Sequence, residues 1–139
     1  MTIDFHTSFY FHPEGEGVLF GMSDPAVPPG DDTRVDWSFL ERITAVAEQR
    51  WPPLLEARVK TAWAGLYENT PDFQPLIGPL QPGLWIAGGF SGHGFMMAPV
   101  VGRWLAAWIG GGTSPVGLGA FAPDRFAAGA RGEPERNVV

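Results

Sequence analysis

The chain has 139 residues, a formal charge of −6 and acidic and basic side chains interspersed along its length, so it lacks the basic stripe that nucleic-acid binding requires. It contains no cysteine, which excludes disulfides, thiolate catalysis and a cysteinyl bond to a cofactor. With 45% hydrophobic residues, six tryptophans and ten phenylalanines, it can bury a real core, and its length predicts one domain, over 1–128, followed by a flexible tail over 129–139.

In chain order, Ser8 to Phe11 and Val18 to Met22 read as two strands, with Pro13-Glu14-Gly15-Glu16-Gly17 as the hairpin loop between them. Pro25 to Asp32 is a loop rich in proline, glycine and aspartate. A helix follows, with Ser38 and Glu41 spaced as a capping box and Leu40, Ile43, Val46 and Ala47 on one apolar stripe. Pro52-Pro53 ends it. Glu56 to Glu68 alternates as a long strand, with Val59, Thr61, Trp63 and Tyr67 on one side and Arg58, Lys60 and Glu68 on the other. Thr70-Pro71-Asp72 is turn chemistry, Leu76 to Gly78 is short and extended, Gln81-Pro82-Gly83 turns the chain, and Leu84 to Ala87 is a buried strand.

Gly88 to Phe95, Gly-Gly-Phe-Ser-Gly-His-Gly-Phe, stands between that strand and a helical pattern from Met96 to Ile109. A glycine-rich turn into a helix N-terminus exposes backbone N–H groups at the positive end of the helix dipole, which suits an anionic or electron-rich ligand. Its glycines permit positive φ and close approach of a flat ligand to the backbone. The plainer alternative is a joint between strand and helix with no ligand. The helix is apolar on nearly every face and stops at Gly110-Gly111-Gly112. Such a helix calls for cover on several sides, from a second copy, from another domain or from the core of this domain itself. Trp104, Leu105 and Trp108 are the residues expected near a contact between copies. Arg125-Phe126 opens a last short helix. The fold expected is α+β: an antiparallel sheet with a covering helix, then a strand–glycine loop–helix unit.

The longest apolar stretch, Phe95 to Ile109, is interrupted by Pro99 and Arg103 and is too short to span a bilayer, so no membrane partner is expected. The N-terminus lacks a basic region followed by an apolar one, which points to the cytoplasm. No pair of histidines with a carboxylate has metal-ligand spacing, so no metal is expected. His6 and His12 are expected at the surface. Ser91 in Gly-Phe-Ser-Gly-His fails the spacing of a nucleophile elbow, because the second residue after it is His93.

Two segments, Tyr67-Glu68-Asn69-Thr70-Pro71-Asp72-Phe73-Gln74-Pro75-Leu76-Ile77-Gly78 and Gly88 to Pro99, together resemble the C-terminal part of flavin-dependent amine oxidoreductases. That family includes monomeric sarcosine oxidase, glycine oxidase, D-amino-acid oxidase and the catalytic subunits of bacterial proline dehydrogenases. The resemblance runs from about Phe9 to Phe126. It implies that backbone groups of Gly92, His93, Gly94, Phe95 and Met96 line the pyrimidine edge of the flavin, where the helix N-terminus would stabilise negative charge on the reduced ring. It implies substrate-side positions for Tyr67 and Met96. No catalytic residue is assigned, and His93 is expected in a structural or cofactor-edge role. Tyr67, Met96 and Met97 could equally be core side chains.

Three departures from the family pattern shape the expectation. There is no Gly-x-Gly-x-x-Gly unit between a strand and a helix, so the ADP half of FAD has no recognisable seat in these residues. Where sarcosine-oxidase-like members carry a lysine after Gly-His-Gly-Phe, this chain has Met96. Where some members attach flavin through a cysteine, this chain has Gly65, so FAD would be held non-covalently, and only in a complete enzyme. The resemblance thus implies a fragment or subunit of an enzyme that oxidises a secondary amine or amino acid, partnered by a dinucleotide-binding segment or subunit. The alternative is a non-enzymatic domain that folds and forms a homo-oligomer without flavin.

Overall fold

The computed structural model describes residues 1–114, 117–127 and 134–135. The expected tail over 129–139 lies outside the described residues except for Pro134 and Glu135. Where one domain is expected over 1–128, the chain divides into two compact units, one of residues 1–66 and one beginning at Tyr67. Among the described residues the architecture is α+β, with two antiparallel sheets and two α-helices.

In the first unit, β1 (Thr2–Asp4), β2 (Phe9–Glu14) and β3 (Gly17–Gly21) form an antiparallel sheet in that order. The β2–β3 hairpin is tighter than the five-residue loop expected: Glu14 pairs with Gly17, leaving Gly15-Glu16 as a two-residue turn. Gly15 takes φ +57°, as the first position of a two-residue hairpin turn demands. The three residues of β1 carry too short an alternation to be read from sequence. They pair Thr2 with Phe11 and Asp4 with Phe9. Asp4 then organises the turn after β1, accepting the His6 N–H at 3.0 Å and the Thr7 hydroxyl at 2.9 Å.

Helix α1 (Phe39–Arg50) lays the expected stripe on this sheet. Ala47 is buried with Phe9 and Leu54, and Ile43, Val46, Phe11, Phe20, Met22 and Trp51 pack around them. Phe11 and Trp51 stack at 4.5 Å between ring centroids. Pro52-Pro53 ends α1 as expected and opens a 3-10 turn, Pro52–Glu56. The capping box does not form. Ser38 makes no side-chain cap and its hydroxyl donates to Asp36 Oδ1 at 2.7 Å, as does its backbone N–H at 2.9 Å. Ser38 has helical backbone, φ −67° and ψ −26°, instead of the extended backbone from which a capping hydroxyl reaches the third N–H of the helix.

The predicted strand from Glu56 to Glu68 is absent. Glu56 closes the 3-10 turn, and residues 58–68 have no strand pairing and are exposed along their length. Alternation specifies which side chains share a face, but a strand also needs a neighbour for its backbone N–H and C=O groups. Among the described residues none is paired with it.

In the second unit, β4 (Leu76–Gln81) and β5 (Leu84–Gly88) form an antiparallel pair with a bulge between Pro79 and Gln81. Helix α2 (Gly94–Ile109) follows, two residues longer at its start than the pattern indicates. Its Val101 joins Ile77 and Leu118 in a second core, with Phe90, Met97, Leu105, Trp108 and Phe121 packed against it. Two 3-10 turns, Leu118–Phe121 and Pro123–Phe126, close this core, the second where Arg125-Phe126 is expected to open a helix. Leu105 and Trp108 therefore serve this unit's interior, and of the three residues expected at a contact between copies only Trp104 stands exposed. Along with Trp104, α2 exposes Phe95, Met96, Val100 and Ile109, so its apolar surface is not all covered from within the unit.

Candidate functional site

The site is the connection from β5 to α2. Three of the four residues from Gly89 to Gly92 take positive φ. Gly89 has φ +70°, Ser91 +50° and Gly92 +91°, and Phe90 between them folds its ring onto the second core. A Cβ on Gly89 would lie 2.5 Å from Thr70 Cγ2. A Cβ on Gly92 would lie 3.1 Å from the Tyr67 ring. A Cβ on Gly94 would meet Phe90 Cβ at 3.2 Å, although Gly94 itself has ordinary helical backbone. At Gly89 both conformation and space oppose a side chain, and at Gly92 positive φ does so with a tight contact to the Tyr67 ring added.

The structure brings Tyr67 to the loop, with its ring against Gly92. His93 is the residue before α2, partly buried, and makes no side-chain cap. Its N–H donates to Phe90 O at 3.0 Å, and its carbonyl accepts the Met97 N–H at 3.3 Å. The N–H groups of Gly94, Phe95 and Met96 lie in the first turn, where no carbonyl of the same helix can reach them. Phe95 is 97% exposed and Met96 is also exposed. Gly92, His93, Gly94, Phe95 and Met96 thus form a helix entry that presents backbone N–H groups beside a tyrosine ring, at the positive end of the α2 dipole.

Sequence reasoning gave Ser91 and Arg125 no part in this site, and gave Thr70 and Asp72 only the shaping of a turn. Ser91 is fully buried, and among the described residues its hydroxyl has no hydrogen-bond partner, although its N–H reaches Glu68 O at 3.4 Å. A buried hydroxyl without a partner is rare. Thr70 and Asp72 are buried beside the loop, and Arg125 reaches Asp72 from the Pro123–Phe126 turn. Arg125 donates to both Asp72 oxygens, Nε to Oδ2 at 2.9 Å and Nη2 to Oδ1 at 2.8 Å. These hydrogen bonds from Arg125 are the main reason the Asp72 carboxyl is held down to about 2, with the Gln74 N–H and Thr70 hydroxyl adding to the effect against the cost of burial. No sequence signal links Asp72 to Arg125, because the two are 53 residues apart.

Among the described residues, no cluster of three histidine, aspartate or glutamate side chains is placed to hold a metal ion. Nor is any helix among them long and apolar enough to cross a membrane.

A family model described as FAD dependent oxidoreductase matches residues 1–108. FAD-dependent oxidoreductase domain-containing protein 1 of Xenopus laevis is 38% identical over 141 residues, covering 94% of this chain and 28% of that protein. Mitochondrial dimethylglycine dehydrogenase of Rattus norvegicus is 32% identical over 141 residues, covering 88% of this chain and 16% of that protein. Among solved structures, L-proline dehydrogenase from P. horikoshii matches with a TM-score of 0.82 and 32% identity, over 94% of this chain and 34% of that chain. The chain therefore spans no more than 28% of the length of these two curated relatives. A family match over most of the chain, relatives above 30% identity and a shared fold lead to one conclusion: the chain belongs to the family of FAD-dependent oxidoreductases.

Proposed function

We propose that these residues supply the flavin-ring and substrate-side part of an FAD-dependent enzyme that oxidises a secondary amine or an amino acid, with the ADP half of the cofactor held by a dinucleotide-binding segment or subunit. The observation that carries this reading is the helix entry at Gly92–Met96, built of close-packed glycines and backed by Tyr67. The printed names of similar proteins, a dimethylglycine dehydrogenase and an L-proline dehydrogenase, support the amine and amino-acid class.

The loop fits the electron-rich edge of an isoalloxazine. It offers first-turn N–H groups, positive-φ backbone a flat ring can approach, and in Ser91 a buried hydroxyl with unused hydrogen-bonding capacity. FAD, when bound, would supply the two-electron acceptor. Gly92, His93, Gly94, Phe95 and Met96 would hold the ring edge through backbone groups, and their fixed dipoles would favour the negative charge of reduction without reorganising. Tyr67 would wall the substrate side. Met96 would offer an apolar contact, and at this position it brings no cation to a substrate carboxylate. We take the compartment to be the cytoplasm, although the dimethylglycine dehydrogenase relative is mitochondrial. Fractionation of tagged cells decides this.

Lumiflavin, the ring system without ribityl phosphate or adenosine, tests the reading on the chain as it is. Titrated into 15N-labelled protein, it should shift the amide resonances of Gly92 to Met96 selectively and weakly. Shifts scattered over both units, or none near solubility-limited lumiflavin, would contradict it. FAD added to the chain alone should bind weakly, and the purified chain should be colourless.

The exposed apolar side chains of α2 favour a second reading, a homo-oligomer that carries no flavin. Light scattering with Trp104→Glu separates the two. The oligomer reading requires a dimer that this substitution dissociates, and a monomer at high concentration rejects it.

A further inference from the structure

The Asp72–Arg125 pair does more than close the second core. Its side chains are only 3% and 11% exposed. All five guanidinium N–H groups are used: besides the two carboxylate bonds, Nη2 donates to Gln74 O at 2.7 Å, and Nη1 to Pro75 O at 3.0 Å and to Ala122 O of its own turn at 3.3 Å. Asp72 in turn receives the Gln74 N–H at 3.0 Å, and its Oδ1 lies 2.9 Å from the Thr70 hydroxyl. That hydroxyl also lies 2.7 Å from Gln74 O, so its one proton is shared between two groups that the guanidinium already holds.

Thr70 is the point where this network meets the candidate site. With its hydroxyl fixed, its Cγ2 occupies the space where Gly89 has no Cβ. Two residues earlier, Glu68 O receives the Ser91 N–H. The segment 68–70 thus touches the β5–α2 loop at its first glycine and at its buried serine. The loop's positive-φ residues begin and end around those contacts.

We propose that Asp72 and Arg125 are positioning residues for the β5–α2 loop: their ion pair fixes Thr70, and Thr70 sets the conformation from Gly89 to Gly92 from which α2 begins. The turn at Pro123–Phe126 thereby controls the geometry of the helix entry. Neither residue is assigned contact with a ligand. The functional half of the proposal, that the loop so positioned faces a flavin, rests on the reading given above. The structural half does not.

The test uses the full chain, 15N-labelled, with Arg125→Ala, Arg125→Lys and Thr70→Val. Amides of the Gly15-Glu16 hairpin turn, in the other unit, serve as the control. Arg125→Ala should shift the Gly89, Ser91 and Gly92 resonances, accelerate hydrogen exchange of the Ser91 N–H, and leave the hairpin amides in place. Lysine keeps the charge but not the planar fork, so Arg125→Lys should restore only part of the native shifts. Thr70→Val keeps the bulk beside Gly89 and removes the hydroxyl link, and should move the same three amides. A folded Arg125→Ala protein with native loop resonances overturns the proposal. If Arg125→Ala abolishes folding of the unit, Thr70→Val decides: moved loop amides support the proposal, and native ones overturn it. Lumiflavin keeps the two claims apart. Loop amides that respond to Arg125→Lys while lumiflavin leaves the unaltered chain unperturbed would uphold the positioning network and reject the flavin reading.

Discussion

The Gly15-Glu16 turn and the β5–α2 loop both use glycine at positive φ, but for different reasons. A Cβ built on Gly15 meets nothing within 4 Å, and the same holds at Gly83 in the β4–β5 turn. These glycines answer only to backbone conformation. At Gly89 and Gly92 the missing side chain is replaced by a neighbour, Thr70 or Tyr67, pressed against the backbone. The turns need a bend. The loop needs a bend and a wall, and a backbone held against a wall keeps its N–H groups aimed in fixed directions, as electrostatic preorganisation requires.

Substitution sharpens this contrast. Gly89→Ala combines positive φ with a contact of 2.5 Å to Thr70 Cγ2, and should destabilise the second unit. The expected cost is about 3 kcal/mol, strain and overpacking together, read by chemical denaturation. Shortening Thr70 to serine removes the obstructing methyl, so Gly89→Ala in that background should cost measurably less. Equal costs in the two backgrounds would show that space is not the issue.

Acid probes the ion pair beside the loop. Because the Asp72 carboxyl is held at about 2, below its ordinary value, chiefly by hydrogen bonds from Arg125, its contribution is fully present above about pH 4 and is lost as the pH falls through about 2. The contribution is on the order of 2 kcal/mol. Stability of the Arg125→Ala protein should depend less on pH across that window. An identical pH dependence in both proteins would remove the ion pair from the account.

Smaller effects separate the glycines from one another. Gly92→Ala should cost about 1–3 kcal/mol, since φ +91° is reinforced by the Tyr67 ring. Gly15→Ala has open space and only the conformational penalty, about 1 kcal/mol. Gly94→Ala should cost less than Gly92→Ala, because Gly94 has helical backbone and a Cβ there meets only a mild squeeze from Phe90. A Gly15→Ala cost equal to that of Gly92→Ala would erase the distinction between the two regions.

Much of this was legible in the sequence where local chemistry and periodicity agree. Proline ended α1, the Ile43–Val46–Ala47 stripe marked its buried face, and the Gly88–Gly94 run located the strand-to-helix connection. The failures share a physical cause, dependence on a partner that spacing does not reveal. Residues 58–68 alternate like a strand, yet no described strand pairs with them. Ser38 and Glu41 had the spacing of a capping box, but Ser38 takes helical backbone, anchored through its own N–H and hydroxyl on Asp36. Asp72 looked like turn chemistry and is that, yet its main partner is Arg125, far along the chain. Gly92 and Gly94 looked equivalent on paper, and only Gly92 has positive φ.

The central claim is that this loop works through its backbone. It is tested most directly in an enzyme completed by co-expressing the chain with a dinucleotide-binding segment from a family member. Flavin content and turnover of Gly92→Ala and His93→Ala would be compared with the unaltered assembly. Gly92→Ala should lose most of the bound flavin, while His93→Ala should retain flavin and substantial turnover. An enzyme that keeps flavin and turnover with Gly92→Ala, but loses turnover with His93→Ala, would contradict it and make the His93 imidazole the working group.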